Sequence, residues 1–227
     1  MSIVGIDQSL SATGICEIDN SGKILRIKTI KTKGKKGVER LDFITNEIKD
    51  FCLLIKDKYV VVREGYSYGY AKSPFISSSC VFDLGELGGC IDLELYRLTN
   101  SKMYGYYIIP TTVMKKFCLG QGGTKKDTSY LLSIYDEFKI KFDDDNQADA
   151  FMLANTILGF IKITNDEDFY NNLTPIKKEA IMSSFIGKKG SGITKTNIKK
   201  IQYLDFVEKT KLSLNEYLYF KKDTAPC

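Results

Sequence analysis

The feature that most constrains the fold is a change of hydrophobic period early in the chain. Short apolar runs at Ser2–Asp7, Gly14–Ile18 and Lys23–Ile30 are joined by short connections, one of which carries the turn signal Asp19–Gly22. From Val38 to Lys56 the apolar residues instead recur at steps of three and four, which is typical of a helix. Three strands followed by a helix predict an antiparallel meander that opens a larger α/β domain.

The remaining body of the chain alternates between strand and helix patterns. The sequence predicts further strands at Tyr59–Arg63 and Lys102–Ile109, and helices at 80–99, Thr111–Phe117, Lys125–Phe138 and Asp145–Ile163. This order predicts an α/β fold with a mixed five-stranded sheet flanked by helices. We assign residues 1–164 to this domain and residues 165–227 to a mainly helical C-terminal extension.

Composition excludes several classes of protein. The chain has no histidine, which excludes Ser-His-Asp and Cys-His mechanisms, and its six cysteines form no CxxC pair, which argues against structural zinc. No run of about 18 apolar residues predicts a membrane span, and no secretory signal is visible at the N-terminus. We therefore expect a cytoplasmic protein, in the host cytoplasm if the source is viral.

Positive charge is concentrated in the last quarter of the chain. Residues 171–227 carry 11 lysines and 5 acidic residues, whereas the preceding 170 residues are almost neutral. A lysine-rich segment of this kind is suited to contact with phosphates. The alternative is that these lysines only keep the surface soluble.

Three acidic residues occupy positions that favour a shared site. Asp7 ends the first strand, Glu64 directly follows the strand YVVVR, and Asp149 lies in the first turns of a long helix. Carboxylates at strand ends and at a helix start meet at one edge of a sheet, where they suit hard divalent cations. Taken singly, each has a structural alternative: a turn residue, a surface acid or a helix N-terminal charge.

Four segments, in this order, resemble the RuvC family of Holliday-junction resolvases within the ribonuclease H-like superfamily. They are Ile6–Gly14 (IDQSLSATG), Val61–Glu64 (VVRE), Lys115–Lys126 (KKFCLGQGGTKK) and Asp145–Ala150 (DNQADA). The resemblance covers about residues 1–160. It implies a ribonuclease H-like fold and an endonuclease that resolves four-way junctions or other branched DNA as a homodimer. The glycine-bearing helix at 80–99 is the expected dimer interface.

The resemblance also implies roles for individual residues. Asp7, Glu64 and Asp149 would ligate Mg²⁺ or Mn²⁺, with two ions in each active site. Family members often carry a fourth acidic ligand three residues before the last aspartate, where this chain has Asn146; Asp145 is the alternate. Lys126 would stabilise the negative charge that develops at the scissile phosphate.

Further residues are expected to contact DNA. Lys115 resembles a DNA-contacting lysine of the family, and Lys125 and Lys126 lie in a glycine-rich loop suited to the backbone. Tyr66 and Tyr68 follow Glu64 and would stack on unpaired bases, unless they pack on the next helix. Lys188 and Lys189 belong to a basic, glycine-containing stretch of the extension.

Two other functions stay open at this stage. Actin-like ATPases and sugar kinases share the ribonuclease H-like core, and their acid, small-residue and threonine turn is similar to Asp7–Thr13. A non-catalytic protein that binds branched DNA is the other alternative, and Asn146 in place of an acid favours it. The Asn-, Lys- and Ile-rich composition suggests an AT-rich source such as a virus or phage.

Overall fold

The computed structural model describes residues 1–65, 78–98, 102–120, 129–183 and 202–221. The strands of this part are β1 (Ser2–Asp7), β2 (Ala12–Ile18), β3 (Ile24–Lys31), β4 (Tyr59–Gly65), β5 (Met103–Pro110) and β6 (Leu218–Lys221). The helices are α1 (Gly37–Leu53), α2 (Ser78–Leu98), α3 (Thr111–Leu119), α4 (Tyr130–Phe138), α5 (Asp145–Ile163), α6 (Glu167–Asn171), α7 (Pro175–Ile181) and α8 (Tyr203–Tyr217). None of the helices in these ranges is long and apolar enough to cross a membrane.

The strands form one mixed sheet in the order β3-β2-β1-β4-β5-β6. The predicted meander is confirmed, because β1, β2 and β3 pair antiparallel, whereas β4 lies parallel to β1 and β5 parallel to β4. The five predicted strands and their flanking helices confirm the fold class. The ends of β1, β4 and β5 and the connections from β1 to β2 and from β3 to α1 therefore lie at one edge of the sheet, which we call the carboxyl edge.

Alternation along the strands divides the core between two faces of the sheet. Val60 and Val62 of β4 join a cluster around α5 and α3, on what we call the α5 face. Tyr59 and Val61 join a second cluster with α1 and α2, on the opposite α1–α2 face. Successive side chains of a strand point to opposite sides of the sheet. The faces of all remaining strand residues therefore follow from these assignments.

Helix α5 lies directly on β1 and β2, at a distance that only glycine permits. A Cβ atom at Gly5 would lie 1.9 Å from the backbone oxygen of Ala150, and one at Gly14 would lie 2.0 Å from that of Asn146. The helix is buried on nearly all sides, because α3, α6 and α8 cover the surface that faces away from the sheet.

The described part of the C-terminal extension is mainly helical, as predicted, but it also adds a sixth strand. Strand β6 pairs antiparallel with the otherwise open edge of β5. Residues of α6 to α8, including Tyr170, Ile181 and Phe206, are buried in the α5-face cluster. The extension therefore contributes to the core, and the division of the chain at residue 164 stays a prediction.

Candidate active site

Asp7 and Glu64 lie side by side at the ends of two parallel strands. Ile6 of β1 pairs with Arg63 of β4, so the next residue of each strand is the acidic one. Asp7 is two residues beyond Gly5, which faces α5, and Glu64 is two residues beyond Val62. Both carboxylates are therefore on the α5 face at the carboxyl edge, and Asp7 is only 5% exposed.

Asp149 reaches the same edge because the start of α5 is fixed there. Asp144 caps the helix by accepting a hydrogen bond from the backbone nitrogen of Gln147 at 2.9 Å. Its other carboxylate oxygen accepts from Thr29 Oγ1 of β3 at 2.7 Å. The first turn of α5 is thereby tied to the sheet, and Asp149 follows it, 2% exposed.

Tyr130 and Lys115 complete a buried polar cluster around Asp149. The hydroxyl of Tyr130 donates a hydrogen bond to Asp149 Oδ1, and Lys115 Nζ lies 4.8 Å from the centre of the Tyr130 ring. Burial, and then the negative charges of Asp149 and Asp7, raise the pKa of Tyr130, so the phenol stays protonated and remains a donor. The hydrogen bond and the ring contact bring Asp149, Tyr130 and Lys115 into a single buried region.

The acidic residues match a hard divalent cation in donor chemistry, since all of them offer oxygen. Asn146 lies three residues before Asp149 and thus on the same side of α5. Within the described ranges, however, no three His, Cys, Asp or Glu side chains lie close enough together to form a metal site. Instead, Glu64 accepts a hydrogen bond from Thr111 Oγ1, and Asp149 accepts one from Tyr130. Hydroxyl groups therefore occupy carboxylate oxygens that a cation would use.

A second buried charge cluster lies behind the first, on the α1–α2 face. Arg63 is fully buried and forms a salt bridge with Asp92 of α2, with Nη2 at 2.8 Å from Oδ1. Its Nε donates to Tyr106 at 2.5 Å, and its Nη1 donates to the Glu64 carbonyl oxygen at 2.8 Å and to Gln8 Oε1 at 3.2 Å. Arg63 thus holds the Glu64 backbone and the Gln8 side chain, and it supports the candidate site from the α1–α2 face of the sheet.

The turn that follows Asp7 is held together by its own hydroxyl groups. Thr13 Oγ1 donates to the Ser9 carbonyl oxygen at 2.7 Å and accepts from the Ser9 backbone nitrogen at 3.2 Å. Ser9 Oγ accepts from the backbone nitrogen of Ala12 at 3.4 Å. The small residues of this segment therefore serve the sharp connection from β1 to β2.

The architecture was compared with known proteins. No family model matches the sequence, and no curated protein matches it. Among solved structures, Thermus thermophilus RuvC superposes with a TM-score of 0.53 at 17% identity, covering 68% of this chain and 91% of that one. The chain has a RuvC-like fold. T. thermophilus RuvC in complex with a Holliday junction substrate gives a TM-score of 0.51 at 16% identity, covering 68% and 90%. A Fowlpox virus resolvase bound to Holliday junction DNA gives only 0.39 at 16% identity, covering 71% and 99%.

Several predicted site residues lie outside the described part of this RuvC-like fold. They are Tyr66, Tyr68, Lys125, Lys126, Lys188 and Lys189. Of the remainder, Asp7, Glu64 and Asp149 lie at one edge and on one face of the sheet. Asn146 and Asp145 are half-buried in the first turn of α5, where the Asn146 amide is 3.5 Å from Asp145 Oδ1.

Lys115 differs from its expected role in one respect. The sequence predicts a DNA-contacting lysine, whereas the side chain is 8% exposed and lies over Tyr130 within the carboxylate region. It is consequently placed to offset the charge of the aspartates, and direct contact with DNA stays a prediction.

The sequence analysis of this RuvC-like fold missed three polar partners of the acidic residues. Tyr130, Thr111 and Arg63 each bind a backbone or side-chain oxygen of the site. Arg63 alone left a signal, since an arginine inside the buried strand YVVVR requires a paired charge. Tyr130 and Thr111 carry no such sequence signal, because tyrosine and threonine are common near the start of a helix.

Proposed function

We propose that this protein is a structure-selective endodeoxyribonuclease that hydrolyses phosphodiesters in branched DNA such as Holliday junctions. The observation that carries the proposal is the placement of Asp7, Glu64 and Asp149 at one edge and on one face of the sheet, beside the buried Lys115. The RuvC-like fold supports it, because one RuvC structure of this fold is a complex with Holliday junction substrate.

Mg²⁺ or Mn²⁺ would be held by Asp7, Glu64 and Asp149, with Asn146 or Asp145 as a further oxygen ligand. Two such ions would supply an activated water and stabilise both the attacking and the leaving oxygen of the phosphodiester. The fold fixes the positions of the three carboxylates, because two of them lie on β1 and β4 and the third follows the capped start of α5.

Two neighbouring side chains are assigned supporting roles. Tyr130 holds Asp149 through its hydroxyl when no cation is bound, and Lys115 offsets part of the negative charge that would otherwise repel a phosphate. Lys126 retains its predicted role of stabilising charge at the scissile phosphate, with Lys125 and the lysines at 188 and 189 on the DNA backbone. Tyr66 and Tyr68 retain theirs, stacking on unpaired bases.

A homodimer is part of the proposal, and α2 is its expected interface. Phe82, Leu93 and Tyr96 of this helix are 71%, 51% and 63% exposed. Gly85 and Gly89 lie between them, and a Cβ atom at either glycine would meet nothing within 4 Å of its own chain. Small residues between large apolar ones allow a second helix to approach closely, so light scattering should give the mass of a dimer.

The deciding experiment incubates the protein with labelled four-way junction, duplex and single-stranded DNA, with and without Mg²⁺. We expect Mg²⁺-dependent cutting of the junction in preference to the other substrates. The variant Asp7→Asn should still bind the junction and lose cleavage. If Asp7→Asn cuts as well as the unsubstituted protein, Asp7 is not part of the site.

Other outcomes would select a rival function. Equal cutting of all substrates leaves a nuclease and removes the junction preference. Binding of junctions without cleavage under any divalent cation identifies a non-catalytic DNA-binding protein. Hydrolysis of ATP without cleavage of nucleic acid identifies an actin-like ATPase.

A further inference from the structure

A short basic loop lies at the carboxyl edge of the sheet, where the acidic site is. Residues 31–36, which we call the basic loop, contain Lys31, Lys33, Lys35 and Lys36 and no acidic residue. The loop begins at Lys31, the last residue of β3, which pairs with Ala12 at the start of β2. It is therefore at the same end of the sheet as Asp7.

The basic loop is fixed to the turn that follows Asp7. The Thr32 backbone nitrogen donates to the Ser11 carbonyl oxygen at 3.2 Å, and Thr32 Oγ1 donates to the Leu10 carbonyl oxygen at 3.1 Å. Thr32 is itself buried, so it anchors the lysines on either side of it. Strand β3 is two strand spacings from β1, which is about 10 Å and equals the rise of about three phosphates along one strand of DNA.

Three of the four lysines present their charge to solvent. Lys35 pairs with Glu39 at 2.7 Å and lies over the Phe43 ring. Lys31, Lys33 and Lys36 are exposed, and within the described part of the chain no acid or acceptor engages their ammonium groups. A cluster of unpaired cations at one end of a sheet is costly in self-repulsion unless it meets an anion.

The backbone of the loop turns Lys33 outward at a conformational cost. Lys33 has a φ of 40° and Gly34 a φ of 85°, and the Lys35 nitrogen donates to the Thr32 carbonyl oxygen at 3.1 Å. A left-handed conformation is unfavourable for a residue with a side chain, and glycine or asparagine would adopt it more readily. A lysine at this position is therefore unexpected for a turn that has only a structural role.

We propose that Lys31, Lys33 and Lys36 form a phosphate-contacting surface that holds the DNA backbone beside the acidic site. The acidic residues alone would repel a phosphodiester, and cations fixed next to them would offset that repulsion and guide the strand toward Asp7. The partner is the sugar–phosphate backbone, so the contact is independent of base sequence. The inference rests on the proposed function only in taking DNA as the partner.

The test compares two triple variants with the same loss of charge. The first is Lys31→Gln, Lys33→Asn and Lys36→Gln, in which asparagine tolerates the positive φ at residue 33. The control is Lys23→Gln, Lys56→Gln and Lys58→Gln, which removes three exposed lysines from the opposite end of the sheet. Circular dichroism and thermal unfolding establish that both variants are folded.

Binding is measured by fluorescence anisotropy with four-way junction and duplex DNA, in EDTA so that cleavage does not interfere, over roughly 50 to 200 mM salt. Each lost phosphate contact lowers the slope of log affinity against log salt by about 0.9, so the basic-loop variant should lose 2 to 3. Its affinity at the lowest salt should fall more than about tenfold. The control should change the slope by less than about 0.5.

The outcomes separate this proposal from the proposed function. Equal slopes for the two variants, in a protein that cuts junctions, overturn the basic-loop proposal alone. A slope lost only in the basic-loop variant, in a protein that binds DNA without cutting it, supports this proposal and removes the nuclease. No binding of the unsubstituted protein to either DNA in EDTA, together with no cleavage in Mg²⁺, overturns both.

Discussion

Arg63 and Glu64 are neighbours on β4, yet their side chains enter two buried polar clusters with different charge balance. On the α1–α2 face, all three guanidinium nitrogens of Arg63 have partners, and its charge is matched by Asp92. On the α5 face, the carboxylates of Asp7, Glu64 and Asp149 lie with the ammonium group of Lys115 and the hydroxyls of Thr111 and Tyr130. The named charged groups of the first cluster are one cation and one anion, whereas those of the second are three acids and one base.

This difference is what we expect between a structural cluster and an active site. Buried ions are tolerated when they are paired, since an unpaired ion loses its hydration without compensation. A cluster that keeps excess charge destabilises the fold and is retained where a ligand of opposite charge completes it. The two clusters should therefore respond in opposite ways to the removal of one charged group.

The largest expected effect is on cleavage, from Asp149→Asn. Loss of one ligand carboxylate should lower the cleavage rate by about 10³-fold, or roughly 4 kcal/mol in activation free energy. The free energy of unfolding should stay equal or rise, because repulsion among the acids is relieved. The control is Glu17→Gln, which also neutralises a buried acid. Because Glu17 is paired with Arg26 at 2.7 Å, the free energy of unfolding should fall in this variant. Rapid cutting by Asp149→Asn, with reduced stability, would make this cluster structural.

The second effect is on stability, from Arg63→Met. Asp92 would be left largely buried and unpaired, which should lower the free energy of unfolding by about 3–5 kcal/mol in urea titrations. The double variant Arg63→Met and Asp92→Leu removes both charges and should recover most of the loss. If the double variant is as unstable as the single one, packing rather than charge pairing explains the role of Arg63.

The contrast between the clusters also explains what was predictable from sequence. The strand ends at Asp7 and Glu64 follow directly from hydrophobic period, and parallel strands bring such ends to one edge. The start of α5 was predictable from Asp144, a helix-capping residue. These local signals suffice to locate the acidic residues.

Contacts between distant segments were not predictable in this way. Tyr130 and Asp149 are 19 residues apart, and Arg63 and Asp92 are 29 apart, so no local pattern links them. Strand β6 forms because its residues reach the open edge of β5, a pairing between segments that are far apart in the chain. Burial all round α5 likewise depends on α6 and α8, which come later in the chain.

A smaller effect is expected from Tyr130→Phe, which removes the hydroxyl that binds Asp149. A hydrogen bond to a charged group contributes about 1.5–3 kcal/mol, so stability without divalent cation should fall by about that amount. With Mg²⁺ the loss should be smaller, because the cation replaces the hydroxyl at Asp149. Tyr203→Phe removes a neutral hydrogen bond to the Ile163 carbonyl oxygen and should cost the same with or without Mg²⁺. A Mg²⁺-independent loss for Tyr130→Phe would argue against Asp149 as a ligand.

The smallest difference is expected in the alkylation rates of two buried cysteines, one on each face of the sheet. Burial raises the pKa of Cys52, on the α1–α2 face, and of Cys118, on the α5 face, to about 12. Between pH 9 and 12 the unfolded chain loses these protons first, so both thiols make stability fall as pH rises through that range. Alkylation at pH 8, followed by mass spectrometry, should modify both more slowly than the half-buried Cys90 and at rates within about threefold of each other. Much faster modification of Cys118 would mean that the α5 face opens more readily, and the two faces would then differ in mobility as well as charge.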